Sequence, residues 1–333
     1  MTRETPLPPE LDQRAFTVEE ARALGVSVGR LRHRGLSRPT YGVRQAGTDP
    51  RRTDLAQLAA ATQLVLPAGS AFSHLTAARL LGLPVPRRWG PMEPLDVMNV
   101  TAAAKIRRAG CLGHRGLELR GTVQRNGLRI VSPGDTWCDL GGSGALDLDE
   151  LIVLGDAVVH YRRGIPYPVL AEAVSRRRGG RGTRLLAEAL PQLRPRNNSP
   201  METRARLLFL RGGLPEPELN VVINDQSSGQ WLSDSDFVWR GRRVVAEFDG
   251  DHHRTDRQQW QNDVARRENL QDDGWAFVQL TYASVMVHPR NQSTVSRLRR
   301  LLGLSSPAKS QRTSSRVWRS SSCCDFTTAS APA

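Results

Sequence analysis

The stretch VVAEFDGDHHR, residues 244–254, passes from an apolar run into a dense polar burst. Val244, Val245 and Ala246 read as the core of a strand, and Gly250 lets the chain turn after it. Glu247, Asp249, Asp251, His252 and His253 then crowd into the last part of the stretch. Side chains two apart on a strand share a face, so Glu247 and Asp249 are expected side by side. Like charges that close repel unless a cation, a proton or a hydrogen-bond network lies between them.

The preceding segment supplies a partner for this pair. DSDFVW (234–239) and RVVAEF (243–248) read as two strands of a hairpin around a turn containing Gly241. A four-residue loop over 240–243 places Asp236 directly opposite Glu247, with both side chains on one face. Converging carboxylates at a strand end form an oxygen-rich site for Mg²⁺, and Mn²⁺ suits the same ligands. Such an ion polarises a phosphodiester and lowers the pKa of a bound water towards neutrality.

The elements around the hairpin are equally readable. Ser199, Pro200 and Glu202 open a helix as a capping box, and Gly212 closes it. LNVVI is a strand, and Thr255 with Gln258 caps a helix that stops before Gly274. WAFVQLT is a buried-type strand, and QSTVSRLRRLL is a final amphipathic helix. The expected order over 199–304 is α-β-β-β-α-β-α.

That order, with Asp236 on the second strand and EFD on the third, resembles the PD-(D/E)XK nuclease superfamily. The pieces SPMETRARLLFLRGGLPEPELN, SDFVW, EFDGDHHR, NDVARRENL and DDGWAFVQLT are similar to the very-short-patch-repair-like endonucleases (domain of unknown function 559). The resemblance implies that Asp236 and Glu247 are metal carboxylates with the Phe248 carbonyl as a third ligand. It places Asp249 where the superfamily has its catalytic lysine, and no lysine lies between Lys105 and Lys309. Arginine is a poor base because its pKa exceeds about 12. The proton work therefore falls to a metal-bound water or a histidine, with His253 the first candidate and His252 the alternate. Glu202 matches an acidic position on the superfamily's first helix, although its capping role explains it as well. Asp263 and Arg267, four apart on a helix, read as a surface ion pair with a possible accessory grip on the substrate strand.

Upstream, FTVEEARALGVSVGRLRHRGLSRPTYGV resembles, over a short match, the winged helix-turn-helix of AbiEi-type antitoxins. Thr17 with Glu20 caps one short helix, Ser27 opens a second, and TYGVRQ reads as a strand. Arg30, Arg32 and Arg34 are then DNA-binding candidates on the second helix. Residues 51–198 read as mostly helical with strands at PLDVMNV and GLRIV. His74, His114 and His160 stand isolated along this region and read as structural histidines.

Charge distribution fits this division. The chain has 333 residues and a net charge of +14, of which +11 lies in residues 1–198, zero in 199–304 and +3 beyond. Attraction to phosphate is thus expected mainly from the N-terminal two-thirds. The four cysteines have no zinc-finger spacing, so no zinc is expected. No long apolar run or signal-peptide pattern is apparent, which points to a cytoplasmic protein with no membrane partner.

The expectation is therefore an α/β protein: a restriction-endonuclease-like αβββαβ core over 199–304, and a mostly helical N-terminal region. That region would hold a winged helix-turn-helix over 1–50 and a middle domain over 51–198. The Ser-rich tail, 305–333, is expected to be disordered. The expected activity is Mg²⁺-dependent hydrolysis of DNA phosphodiester bonds. The alternative is a DNA-binding regulator or antitoxin-like protein on a catalytically degenerate nuclease fold.

Overall fold

The computed structural model describes residues 6–46, 54–177, 179–225, 227–249 and 257–305, with 257–263 described by backbone alone. It is a mixed α/β protein with three sheets among these residues. Two units are formed. One comprises the described residues up to Leu146 together with Pro168–Ala187, and the other comprises Asp147–Tyr167 with the described residues from Glu188 onward.

In the first unit, β1 (Ala15–Thr17), β2 (Leu36–Ser37) and β3 (Val43–Ala46) form an antiparallel sheet in the order β1-β3-β2. Helices α1 (Val18–Ala23) and α2 (Val28–Arg32) pack on it through Phe16, Ala21, Leu31 and Leu36. Thr17 and Ser27 cap these helices through their hydroxyls. The expected capping box at Thr17 is only half formed, because the Glu20 carboxylate is drawn to Arg14 instead. Arg34 also departs from expectation. The backbone leaves the helix at His33, whose Nδ1 accepts from the Gly35 N–H, so Arg34 lies in the turn beyond α2.

The region after this sheet has the expected helices and more strand than expected. Helices α3 (Leu55–Gln63) and α4 (His74–Leu80) are joined by a mixed five-stranded sheet. Its order is β6-β5-β4-β8-β7, with β4 Ala71–Phe72, β5 Leu95–Asn99, β6 Cys111–Arg115, β7 Thr122–Arg125 and β8 Leu128–Val131. Asn126 and Gly127, both at positive φ, close the β7–β8 hairpin. Helix α5 (Pro133–Ser143) carries Asp139, which Arg120 and Arg177 grip at 2.9 and 2.6 Å. Helices α7 (Tyr167–Ser175) and α8 (Thr183–Ala189) follow α6 (Leu148–Val158) in the chain.

The second unit holds the expected element order. Helix α9 (Pro200–Arg211) precedes β9 (Glu218–Asn224), β10 (Trp231–Trp239) and β11 (Val244–Phe248). Helix α10 (Arg257–Asp272) then crosses to β12 (Ala276–Leu280), and α11 (Tyr282–Met286) and α12 (Arg290–Leu301) close the unit. The sheet order is β12-β11-β10-β9, antiparallel except for the β11–β12 pair. Apolar side chains of α9, α11 and α12 cover one face, around Phe209, Phe237, Val285 and Leu298. Leu270 of α10 packs on the other with Val238, Val245 and Trp275.

This unit reaches back across the boundary expected at 198. Asp156 of α6, 1% exposed, pairs with the fully buried Arg206 of α9 at 3.3 Å. It also accepts from the Arg194 amide, Asn197 and Thr203, so the segment before α9 is stitched into the unit by one carboxylate.

Candidate carboxylate site at the β10–β11 fork

The hairpin turn sets the site. Trp239 faces Val244, Val238 faces Val245 and Phe237 faces Ala246, leaving Arg240–Arg243 as the turn. Asp236 and Glu247 occupy the next position, where the regular ladder stops and the two strands part. The Phe248 N–H donates to Asp236 Oδ2 at 2.8 Å, which holds the carboxylate across the fork.

The neighbouring strand breaks at the same level. Asn220 of β9, opposite Asp236 between the pairs Ser235–Val221 and Phe237–Leu219, has φ of +47°. Leu219 packs with the α9 side of the sheet and Val221 with the α10 side, so strict alternation is lost there. Left-handed asparagine is among the least costly non-glycine residues for such a kink.

Three carboxylates from three elements act on one another at this fork. Glu202, in the first turn of α9 and 6% exposed, accepts through Oε2 from the Asn198 N–H at 2.9 Å and Asn220 Nδ2 at 2.7 Å. Its own amide donates to Ser199 Oγ at 3.2 Å, so half of the expected capping box forms while Asn220 claims the carboxylate. Burial raises the Glu202 pKa. Asp236 is pushed up to about 7, first by burial, then by the Glu202 charge, with Glu247 adding to the effect against the Phe248 amide and Arg266.

Glu247 is held by hydrogen bonds. Its Oε1 accepts from Ser233 Oγ at 3.1 Å and Ser235 Oγ at 3.0 Å, and its Oε2 from Arg266 Nη2 at 2.8 Å. Asp249 lies just past the end of β11, where Gln279 Nε2 donates to its Oδ2 at 2.5 Å. Gln279 is also the register partner of Glu247 in the parallel β11–β12 pair, so Asp249 meets β12 at the level of the Glu247 row. Arg267 lays its guanidinium 5.1 Å from the centroid of the Phe277 ring. His252 and His253 lie outside the described residues, as does the Asp263 side chain.

Several participants carry no motif signal. Asn198, Asn220, Ser233, Ser235 and Arg266 are ordinary polar residues in the sequence, and only the fold brings them to the acids. His160, read from sequence as isolated, joins the same network: its Nε2 lies 3.0 Å from Asn198 Oδ1, and Asn198 Nδ2 donates to Asn220 Oδ1 at 2.5 Å. In the N-terminal segment Arg32 and Arg34 are exposed and Arg30 is half-buried.

The donors around Asp236 are hard carboxylate oxygens, and its buried charge is poorly compensated, a setting that fits a hard divalent cation. Among the described residues no helix is long and apolar enough to cross a membrane. Two uncharacterized proteins from strains of Mycobacterium tuberculosis are each 32% identical to the chain over 120 residues. The match covers 36% of this chain and 44% of each relative, so less than half the length of these relatives is spanned. No family model and no solved structure matches the chain.

Proposed function

We propose that the second unit is a Mg²⁺-dependent endonuclease that hydrolyses DNA phosphodiester bonds, and that the basic N-terminal segment holds the duplex. The observation that carries this reading is Asp236, whose carboxyl is raised to about 7 between Glu202 and Glu247 at the β10–β11 fork. Perturbed carboxylates of this kind concentrate at functional sites. The α-β-β-β-α-β order and the polar burst after β11 supply the resemblance to PD-(D/E)XK nucleases.

In this reading Asp236 is the principal ligand, and the charges of Glu202 and Glu247 act on it from either side. Mg²⁺ retains several waters and takes one or two protein carboxylates, so all three are not needed at once. The bound ion supplies charge stabilisation for the phosphodiester and an acidified water. Arg266 orients Glu247, and Asn220 orients Glu202 and connects it towards His160. The lysine position is taken by Asp249, so His253 or His252 remains the proposed proton carrier.

A second reading, a DNA-binding regulator or antitoxin-like protein on an inert nuclease-like fold, draws on two observations. Glu247 is engaged by Arg266 and two serines, and Asp249 stands at the lysine position bonded to Gln279. Supercoiled, linear and mismatched DNA, each incubated with Mg²⁺, Mn²⁺ or EDTA, separates the two. Metal-dependent nicking supports the endonuclease, whereas salt-sensitive binding with no cleavage on any substrate supports the regulator.

A further inference from the structure

The first unit brings together three residues that the sequence scatters. His74 opens α4, Asp96 lies on β5 and His114 on β6. Among the described residues they form a group of potential ligands whose donor atoms all lie within 4.8 Å of one another. We propose that His74, Asp96 and His114 form a transition-metal site that binds Zn²⁺ through two imidazoles and one carboxylate.

The backbone builds this cluster from both sides. In the parallel β5–β6 pair, Asp96 faces Leu112 and Met98 faces His114, so Asp96 and His114 are diagonal neighbours on one face. Gly113 allows β6 to lie close in: a Cβ there would come within 2.2 Å of the Ile106 carbonyl oxygen. The start of α4 is fastened to the same strand, because the Ser73 N–H donates to the Asp96 carbonyl at 3.0 Å and the Asp96 N–H to Thr76 Oγ1 at 2.8 Å. His74 itself has φ of +48°, an uncommon conformation for a residue other than glycine, and the surrounding bonds hold it there.

The side chains match a borderline metal ion. His114 Nε2 lies 2.8 Å from Asp96 Oδ1, a separation that needs a proton or a cation between them. The His74 and His114 rings stack with centroids 3.8 Å apart and planes at 22°. Two imidazolium rings would repel in that arrangement. Ser73 Oγ contacts His74 Nδ1 at 3.1 Å, which fixes the ring as an outer partner would.

Two imidazoles with one carboxylate select Zn²⁺ and its borderline neighbours over Mg²⁺. With ligand bonds of about 2.0–2.2 Å, tetrahedral Zn²⁺ needs the His114–Asp96 separation to open by roughly half an ångström and the stacked His74 and His114 rings to turn so that both lone pairs point at the ion. Three protein ligands leave a fourth position for water.

Cobalt titration of the full-length protein, stripped with EDTA and transferred to metal-free buffer, tests the site. Co²⁺ should bind with one equivalent giving tetrahedral visible absorption, and Zn²⁺ but not excess Mg²⁺ should displace it. His114→Ala and His74→Ala should each weaken binding of that tetrahedral Co²⁺ equivalent at least about tenfold. Circular dichroism identifies any variant that fails to fold, and the wild-type titration then decides by itself. Absence of stoichiometric Co²⁺ and Zn²⁺ uptake by folded wild-type protein would overturn the proposal. So would uptake unaltered in folded forms of both histidine variants, leaving the cluster a hydrogen-bonded polar core.

Discussion

Arg266 donates from Nη2 to Glu247 Oε2 at 2.8 Å, while Ser233 and Ser235 occupy Oε1 of the same carboxylate. The charge of Glu247 is therefore balanced by protein groups, and that of Asp236 is balanced much less. The asymmetry assigns different consequences to substitutions at these acids.

Asp236 makes stability depend on pH. Its folded pKa of about 7 lies above the usual carboxylate value of about 4. A group raised in the folded state stabilises fully below its unfolded pKa and loses that contribution as pH rises through the folded one. Stability to urea should thus decline between about pH 4 and pH 7, and Asp236→Asn should flatten the decline. A wild-type stability that rises over this window to the same extent in both proteins would contradict the assignment.

Mg²⁺ should act in the opposite sense. An ion that binds the native carboxylates stabilises by mass action, and protonation of Asp236 competes with it. The rise in Tm on adding Mg²⁺ should be larger at pH 8 than at pH 5 and should vanish in Asp236→Asn. An equal rise at both pH values would point to a nonspecific salt effect.

Arg206 and Asp156 make a structural prediction independent of activity. Both side chains are almost wholly buried, so Arg206→Ala leaves a carboxylate without its cationic partner. Loss of one member of a buried pair costs about 3–5 kcal/mol. Chemical denaturation should show a loss of that size. A change below about 1 kcal/mol would place the pair among surface-type ion pairs.

The N-terminal arginines should act on DNA affinity alone. Arg32 and Arg34 are exposed, and each phosphate contact contributes about 0.9 to the slope of log affinity against log salt. Replacing both by alanine should weaken binding across sequences and reduce that slope by about 2. An unchanged slope, measured by fluorescence anisotropy, would remove this segment from the DNA interface.

The hairpin was legible because its turn length alone sets the register, and strand patterning then places Asp236 opposite Glu247. The α-β-β-β-α-β order followed from caps and periodicity. The surroundings of the acids were not legible, since Arg266 arrives from a crossover helix and Asn220 acts through a left-handed backbone position. The five-stranded sheet was underestimated because β4 has only two residues, although the Asn126-Gly127 hairpin signal was present. His74, Asp96 and His114 were hidden for another reason: no local spacing links them, and only the β5–β6 pairing and the start of α4 bring them together.

The most direct test of the central claim is the rate of supercoiled-plasmid nicking in Mg²⁺, measured side by side for wild-type protein and folded Asp236→Asn. The account predicts nicking by the wild type that EDTA abolishes, with a fall of at least about a hundredfold in the variant, the scale of losing one charge-stabilising group. Equal nicking by the two proteins, or none by the wild type with Mg²⁺ or Mn²⁺, would contradict it.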